Sequence, residues 1–376
     1  MNDEGGESTA SRLEGAVGND PVTSDTYGVL PVLEGARPLD KVRPATAYVR
    51  DVNYRVRRHA VERFGDIGLH QMRSIQQAYR GSSGPEVLVL SDSTMYFPAA
   101  RGIRPARGLA DRRIMLEMIR DRLGRRVQVE AAVGPAYNQR MAMAYLYGLS
   151  KCRSRPRVVV LSLWPGLAMS AWLDHPVLGY EREARSLRVA VDAGGSGPRH
   201  LDPPTESDWH VYDHLPAPTL SDLRRTMGEL FFLTTCRSSA RWPQTPWQKE
   251  VQLRHRVDYY HGERLEPESP GIVLIAEMGR MLSAMGIPSV AYISAVNYSD
   301  AVRFAGIDAR DHIRHNAEVI EAAYREGTGE LGTCVNGVFD CTASEFCDPV
   351  HLEADARRRL AANIVEAAQP SLRSDN

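Results

Sequence analysis

Two short segments carry side chains whose types and spacing could do chemistry. The first is Ser91-Asp92-Ser93-Thr94-Met95, directly behind the apolar run Glu86-Val-Leu-Val-Leu90. A serine just past a buried strand stands at a sheet edge. There its hydroxyl can project into a crevice and its backbone N–H can point at an oxyanion. The second is Phe346-Cys-Asp348-Pro-Val-His351-Leu352. An Asp and a His three residues apart in one turn are neighbours on one side. The carboxylate can then fix the imidazole tautomer while the other ring nitrogen faces a nucleophile. The chemistry of such a set is nucleophilic acyl transfer, in which His351 takes the Ser93 proton and Ser93 attacks a carbonyl to form an acyl-enzyme. Either segment alone reads equally well as a turn or a helix cap. Their conjunction, one behind the first strand and one before the last helix, points to function.

The elements that must hold these segments follow an alternating rhythm. After Gly81-Ser-Ser-Gly-Pro85 the pattern predicts a strand at 86–90, a helix over 109–123 and a strand at 127–133. A helix over 138–149 and a third strand at 157–163 follow. The rhythm stops between about 170 and 266, then resumes with a helix over 272–285, a strand at 289–294, a helix over 309–325, a strand at 333–339 and a last helix to 368. Strands alternating with helices predict an α/β fold, a parallel sheet of about five strands flanked by helices on both faces. Residues 1–84 read as a polar, disordered lead-in plus a helical extension, and 85–369 as the α/β domain. Residues 170–266 read as a large insertion after the third strand, forming a lid or substrate-binding subdomain over the carboxyl ends of the strands, where open α/β sheets bind ligands. All five tryptophans (Trp164, Trp172, Trp209, Trp242, Trp247) fall in or beside it, as an aromatic lid or as its own small core.

On these residues the sequence resembles the SGNH (GDSL-type) hydrolase family. That family's first block, a strand followed by Gly-Asp-Ser, reads Ser91-Asp92-Ser93 here, and its last, Asp-x-x-His-Leu, reads Asp348-Pro-Val-His351-Leu352. The run from Val335 through Asp340 to Phe346 also follows the family's usual lead into that block. The resemblance covers about residues 86–172 and 271–368, roughly half the chain. It implies a flavodoxin-like three-layer fold, Ser93 as nucleophile, His351 as base and Asp348 as its orienter. It further implies the backbone N–H groups of Ser93 and Gly134 as oxyanion donors, and no cofactor.

Two departures matter. The family's first glycine is Ser91, and the third block, Gly-x-Asn-Asp, reads Ser162-Leu163-Trp164-Pro165, without the asparagine whose amide helps hold the oxyanion. Losing one such donor costs about 3–4 kcal/mol, on the order of 100–1,000-fold in rate. The Ser162 hydroxyl, the Trp164 indole N–H, Asn138 and Asn297 are candidate replacements, and the sequence leaves the choice open. The expected activity is hydrolysis of a small-molecule ester or thioester. Transfer of an acyl group from a carrier protein, coenzyme A or an aminoacyl-tRNA to a small-molecule acceptor is the alternative, and a protein that only binds is the third reading.

Composition narrows the rest. Forty-six basic against 47 acidic side chains leave a net charge of −1, which excludes a broadly basic nucleic-acid binder and leaves tRNA only as an acyl carrier. Three of the basic residues are lysine and the rest arginine; clusters such as Arg357-Arg-Arg359 read as solvated helix faces. The first 26 residues lack an apolar core for a signal peptide, and no run reaches the roughly 20 apolar residues of a membrane span. Five cysteines without a CxxC pair read as reduced thiols in a cytoplasmic protein. His210 and His214 have metal-ligand spacing but lack the HExxH glutamate, so no metal is expected. His312 and His315 read as solvated.

Overall fold

The computed structural model describes residues 68–95, 114–134, 137–173, 179–194, 261–305, 308–346 and 350–373. The polar lead-in, most of the segment read as an insertion, His210 and His214, three of the tryptophans (Trp209, Trp242, Trp247) and Asp348 lie outside the described residues.

Helical residues 68–78 (α1) lead to β1 (Val87–Ser91), a 3₁₀ turn (Ser93–Met95) and α2 (Met115–Leu123). Next come β2 (Val129–Val133), α3 (Gln139–Ser150), β3 (Val158–Ser162), the short α4 (Ser170–Leu173) and α5 (Glu181–Asp192). The chain continues through α6 (Pro270–Ala284), β4 (Ser289–Ile293), α7 (Tyr298–Ala305), α8 (Ala309–Thr328), β5 (Gly332–Asn336) and α9 (Ala354–Arg373).

The strands form one all-parallel sheet in the order β2-β1-β3-β4-β5. The inner strands β1, β3 and β4 are apolar on both faces and almost wholly buried, as strands covered twice must be. The edge strands β2 and β5 are only part-buried. Alternate side chains serve opposite layers. Leu88, Leu90, Val159, Leu161, Ala291 and Ile293 pack with α1, α3, α5, α6 and α8. Val87, Val89, Val158, Val160, Val290 and Tyr292 pack with α2 and α9.

The helix layers are held as closely as the sheet. A Cβ on Gly327 of α8 would stand 2.2 Å from the Ala276 carbonyl oxygen of α6, and one on Gly279 would stand 3.0 Å from Gly327. Paired glycines thus let α6 and α8 cross with backbones in contact. Two helices depart from the expected rhythm. α5 lies inside the segment read as an insertion yet packs on α3 through Ala184, Leu187 and Val191, and α7 follows β4 in a stretch to which the sequence pattern assigned no element.

β1 lies between β2 and β3, so the chain reverses its direction of winding at β1. The carboxyl ends of β1 and β3 therefore diverge into a crevice, the ligand position in open α/β sheets. The Ser91-Asp92-Ser93 turn opens there. No helix among the described residues is long and apolar enough to cross a membrane.

Candidate active site

Ser93 begins the 3₁₀ turn that leaves β1, closed by the Met95 N–H on the Asp92 carbonyl at 3.2 Å. The turn sends the chain away from the sheet and leaves the Ser93 hydroxyl against His351. Ser93 Oγ and His351 Nε2 are 2.9 Å apart, and both residues are buried.

The loop that carries His351 is pinched at its neck. Phe346 and Leu352 pair as an isolated antiparallel bridge, and the Glu353 N–H donates to the Glu345 carbonyl at 2.7 Å. From α9, Arg357 Nη1 donates to the Leu352 carbonyl at 2.6 Å and Arg359 pairs with the Glu345 carboxylate at 2.6 Å. Arg357 was expected on a solvated face. It is instead 3% exposed, because the start of α9 turns its side chain back over the loop to meet that carbonyl. Asp348, the expected orienter of His351, falls outside the described residues.

Beneath Ser93 lies a buried polar network. Asp92 Oδ1 accepts from the Thr94 N–H (2.8 Å) and the Thr94 hydroxyl (2.6 Å), and Oδ2 accepts from the Ser162 hydroxyl at 3.1 Å. The Tyr292 phenol, directly across from Ser162 in the β3–β4 register, lies 2.8 Å from Thr94 Oγ1 and 2.7 Å from Ser91 Oγ. Burial pushes the Asp92 carboxyl above the usual range, opposed by the bonds from Thr94 and Ser162 and by the neighbouring His351. Burial, with the Asp92 charge second, likewise raises the Tyr292 phenol.

The residues expected to serve the oxyanion are largely occupied. The Gly134 N–H donates to the Ser91 carbonyl at 3.2 Å and extends the β1–β2 ladder by one residue. The Tyr137 ring lies so close that a Cβ on Gly134 would be 2.2 Å from it, so this glycine makes room for an aromatic ring. Asn138 caps α3, its Oδ1 accepting from the Arg140 N–H at 3.1 Å, while its Nδ2 donates to the Gly179 carbonyl at 2.9 Å. The Ser162 hydroxyl serves Asp92. Trp164 is buried in the core, edge-on to the His261 ring. Asn297 precedes α7, where its carbonyl accepts the Ala301 N–H.

One side chain the sequence did not single out remains. Gln139, at the start of α3, is 2% exposed, and neither its amide oxygen nor its amide nitrogen has a hydrogen-bond partner among the described residues. It lines a cavity of about 10 Å³ with Ser91, Ser162 and Tyr137, at the carboxyl ends of β1 and β3. That is room for roughly one water-sized oxygen. A glutamine beginning a helix is unremarkable in sequence, and only the packing reveals the amide.

Beyond Leu352 a broader groove of about 730 Å³ opens along α9, its walls including Arg122, Arg358, Arg359, Asp340 and Asp355. Arg358 pairs with Asp355 and Arg359 with Glu345. Among the described residues no group of three or more His, Cys, Asp or Glu could hold a metal ion, and Cys152, Cys334 and Cys341 are free thiols.

His312 and His315, expected to be solvated, clamp the chain entering α6. Their Nε2 atoms stand 3.0 Å from the Glu263 carbonyl and 2.9 Å from the Leu265 carbonyl. A carbonyl only accepts, so both rings carry the proton on Nε2. The reason is tertiary: residues 263–265 lie along α8, where Asn316 also binds their backbone.

No family model matches the chain, and no curated protein shows significant similarity to it.

Proposed function

We propose that this chain is an SGNH-like serine acyl hydrolase acting on an ester or thioester through an acyl-enzyme on Ser93. The observation that carries the reading is the 2.9 Å contact between Ser93 Oγ and His351 Nε2 at the mouth of the β1–β3 crevice. In the reaction His351 accepts the Ser93 proton, and the Ser93 oxygen bonds to the acyl carbon. The leaving group departs with the proton returned by His351, and water repeats the sequence to release the acid. Asp348 would orient His351. The oxyanion would be met by the Ser93 N–H and, in place of the missing asparagine, by the Gln139 amide, a buried side-chain donor at this strand edge with no hydrogen-bond partner among the described residues. The segment 170–266 would supply the acyl-binding walls.

A serine-reactive fluorophosphonate tests the reading. Wild-type protein should be labelled at Ser93, and Ser93→Ala and His351→Ala should not. Equal labelling of all three would overturn the assignment.

The groove past Leu352 favours a second reading, transfer from a carrier with a phosphate arm. Arginines suit phosphate, and Arg122 stands in the groove with Arg358 and Arg359. Release of free acid at a rate and yield unchanged by added amine or alcohol acceptors would count against transfer.

A further inference from the structure

Proton counting gives the network under Ser93 a direction. A hydroxyl has one proton to donate. That of Thr94 goes to Asp92 Oδ1, so in its 2.8 Å contact with Tyr292 the Thr94 oxygen accepts and the phenol donates. With the phenol proton engaged, the 2.7 Å contact between Tyr292 and Ser91 is one in which Ser91 donates. The chain therefore runs Ser91 to Tyr292 to Thr94 to Asp92, every proton aimed at the carboxylate. The Ser162 hydroxyl and the Thr94 N–H add two further donors. An ionised carboxylate, which only accepts, is the species that such a set fits.

The elements bearing on this point are distinct. Thr94 and Asp92 come from the turn after β1, Ser162 from the end of β3 and Tyr292 from β4, and each is fixed by strands rather than by a surface loop. A network of this kind is costly when half satisfied and rigid when complete. The Ser91 that replaces the expected glycine is its first donor.

We propose that Asp92 is held ionised by this chain and is a positioning residue for His351, its fixed negative charge favouring the imidazolium that forms when Ser93 is deprotonated. The inference rests on the Ser93–His351 reading and adds a residue to it. In the step itself the Ser93 O–H bond breaks and its proton passes to His351 Nε2. No proton leaves the hydroxyl chain, and Asp92 changes neither charge nor covalent state. Asp92 directly precedes Ser93, whose Oγ stands 2.9 Å from His351 Nε2, so the carboxylate is one residue removed from the imidazole contact, and the imidazole opposes the upward push of burial on the Asp92 carboxyl. Among the described residues, the other ionisable groups on the surrounding elements are Tyr292 of β4, the Cys341 thiol after β5, Arg357 of α9 engaged with the Leu352 carbonyl, and Glu353 two residues after His351.

The test compares wild type, Asp92→Asn, Tyr292→Phe and the double variant in two measurements. One is the NMR titration of His351 in ¹³C-histidine-labelled protein, its signal identified by loss in His351→Gln. The other is the rate of Ser93 labelling by a fluorophosphonate between about pH 5 and pH 9. Asp92→Asn should move both the His351 midpoint and the acid limb of labelling to lower pH, because the imidazolium loses a negative neighbour. Tyr292→Phe should move them the same way by less, and should add nothing once Asp92 is Asn. A His351 midpoint unchanged by Asp92→Asn would overturn the proposal, as would a Tyr292→Phe shift that persists undiminished in the double variant. If Ser93 is never labelled while the midpoints move as stated, the acyl-transfer reading fails and the coupling stands. Normal labelling with unmoved midpoints is the reverse. Should Asp92→Asn not fold, Tyr292→Phe and Thr94→Val carry the comparison, and unmoved midpoints in both overturn it.

Discussion

Ser93 Oγ and His351 Nε2 are 2.9 Å apart across 258 residues of sequence, and each is brought there by a different kind of restraint. Ser93 is set by a buried central strand and the tight turn behind it, His351 by a two-residue bridge and a guanidinium holding the neck of a loop. Groups that act as one unit fail together rather than additively. Ser93→Ala and His351→Ala should each lower hydrolysis of an activated nitrophenyl ester by about 10⁴-fold or more, and the double variant should be no slower than the worse single. Losses that multiply in the double variant would show two independent contributions and count against a shared proton transfer.

Gln139 offers a separation of stability from chemistry. A buried amide without partners costs about 1–3 kcal/mol, whereas a thioether of similar shape costs nothing in hydrogen bonding. Gln139→Met should therefore raise the melting temperature by a few degrees. If the amide meets the oxyanion, the same change should lower kcat by roughly 100–1,000-fold with KM little altered. A variant that is stabilised and fully active would remove Gln139 from the chemistry and leave it a packing residue.

What could be read from the sequence follows from how local each cause is. β1 and β3 were legible because a strand buried on both faces must be a continuous apolar run, and Val87–Leu90 and Val158–Leu161 are such runs. Ser93 and His351 were legible because each sits at a fixed offset from its element. α5 was not: half of its twelve residues are charged, and a narrow stripe of Ala184, Leu187 and Val191 meets α3. The Asp92 network was hidden for a different reason. Its members Ser162 and Tyr292 meet through the β3–β4 register, which no single segment encodes. Asn138 shows the converse error, since its amide looks free in sequence and is occupied at both ends in the fold.

The ladder bond from the Gly134 N–H and the ring of Tyr137 above its Cα give this glycine a structural task. Gly134→Ala forces the ring to move within a group of aromatics, Tyr180 lying edge-on at 5.2 Å and Tyr145 at 6.1 Å. Overpacking of that kind costs about 1–3 kcal/mol. Urea denaturation should show the loss, with kcat on the nitrophenyl ester changed less than twofold. A Gly134→Ala protein of normal stability and sharply reduced kcat would return Gly134 to the oxyanion.

His261 makes stability depend on pH in a defined direction. Burial first, and the charge of His312 second, push its imidazole down to about 3, so the folded protein keeps it neutral. In the unfolded chain it protonates near 6.5. Below that pH the unfolded state binds the extra proton, so the contribution is whole above pH 6.5 and is lost as pH falls from 6.5 toward 3. A sealed group would lose about 2.7 kcal/mol by pH 4.5. His261 is part-exposed, so solvent screening reduces this to roughly 1–2 kcal/mol. The drop in melting temperature between pH 7 and pH 4.5 should therefore be smaller in His261→Gln than in wild type. Equal drops in wild type and His261→Gln would show that the acid sensitivity resides elsewhere.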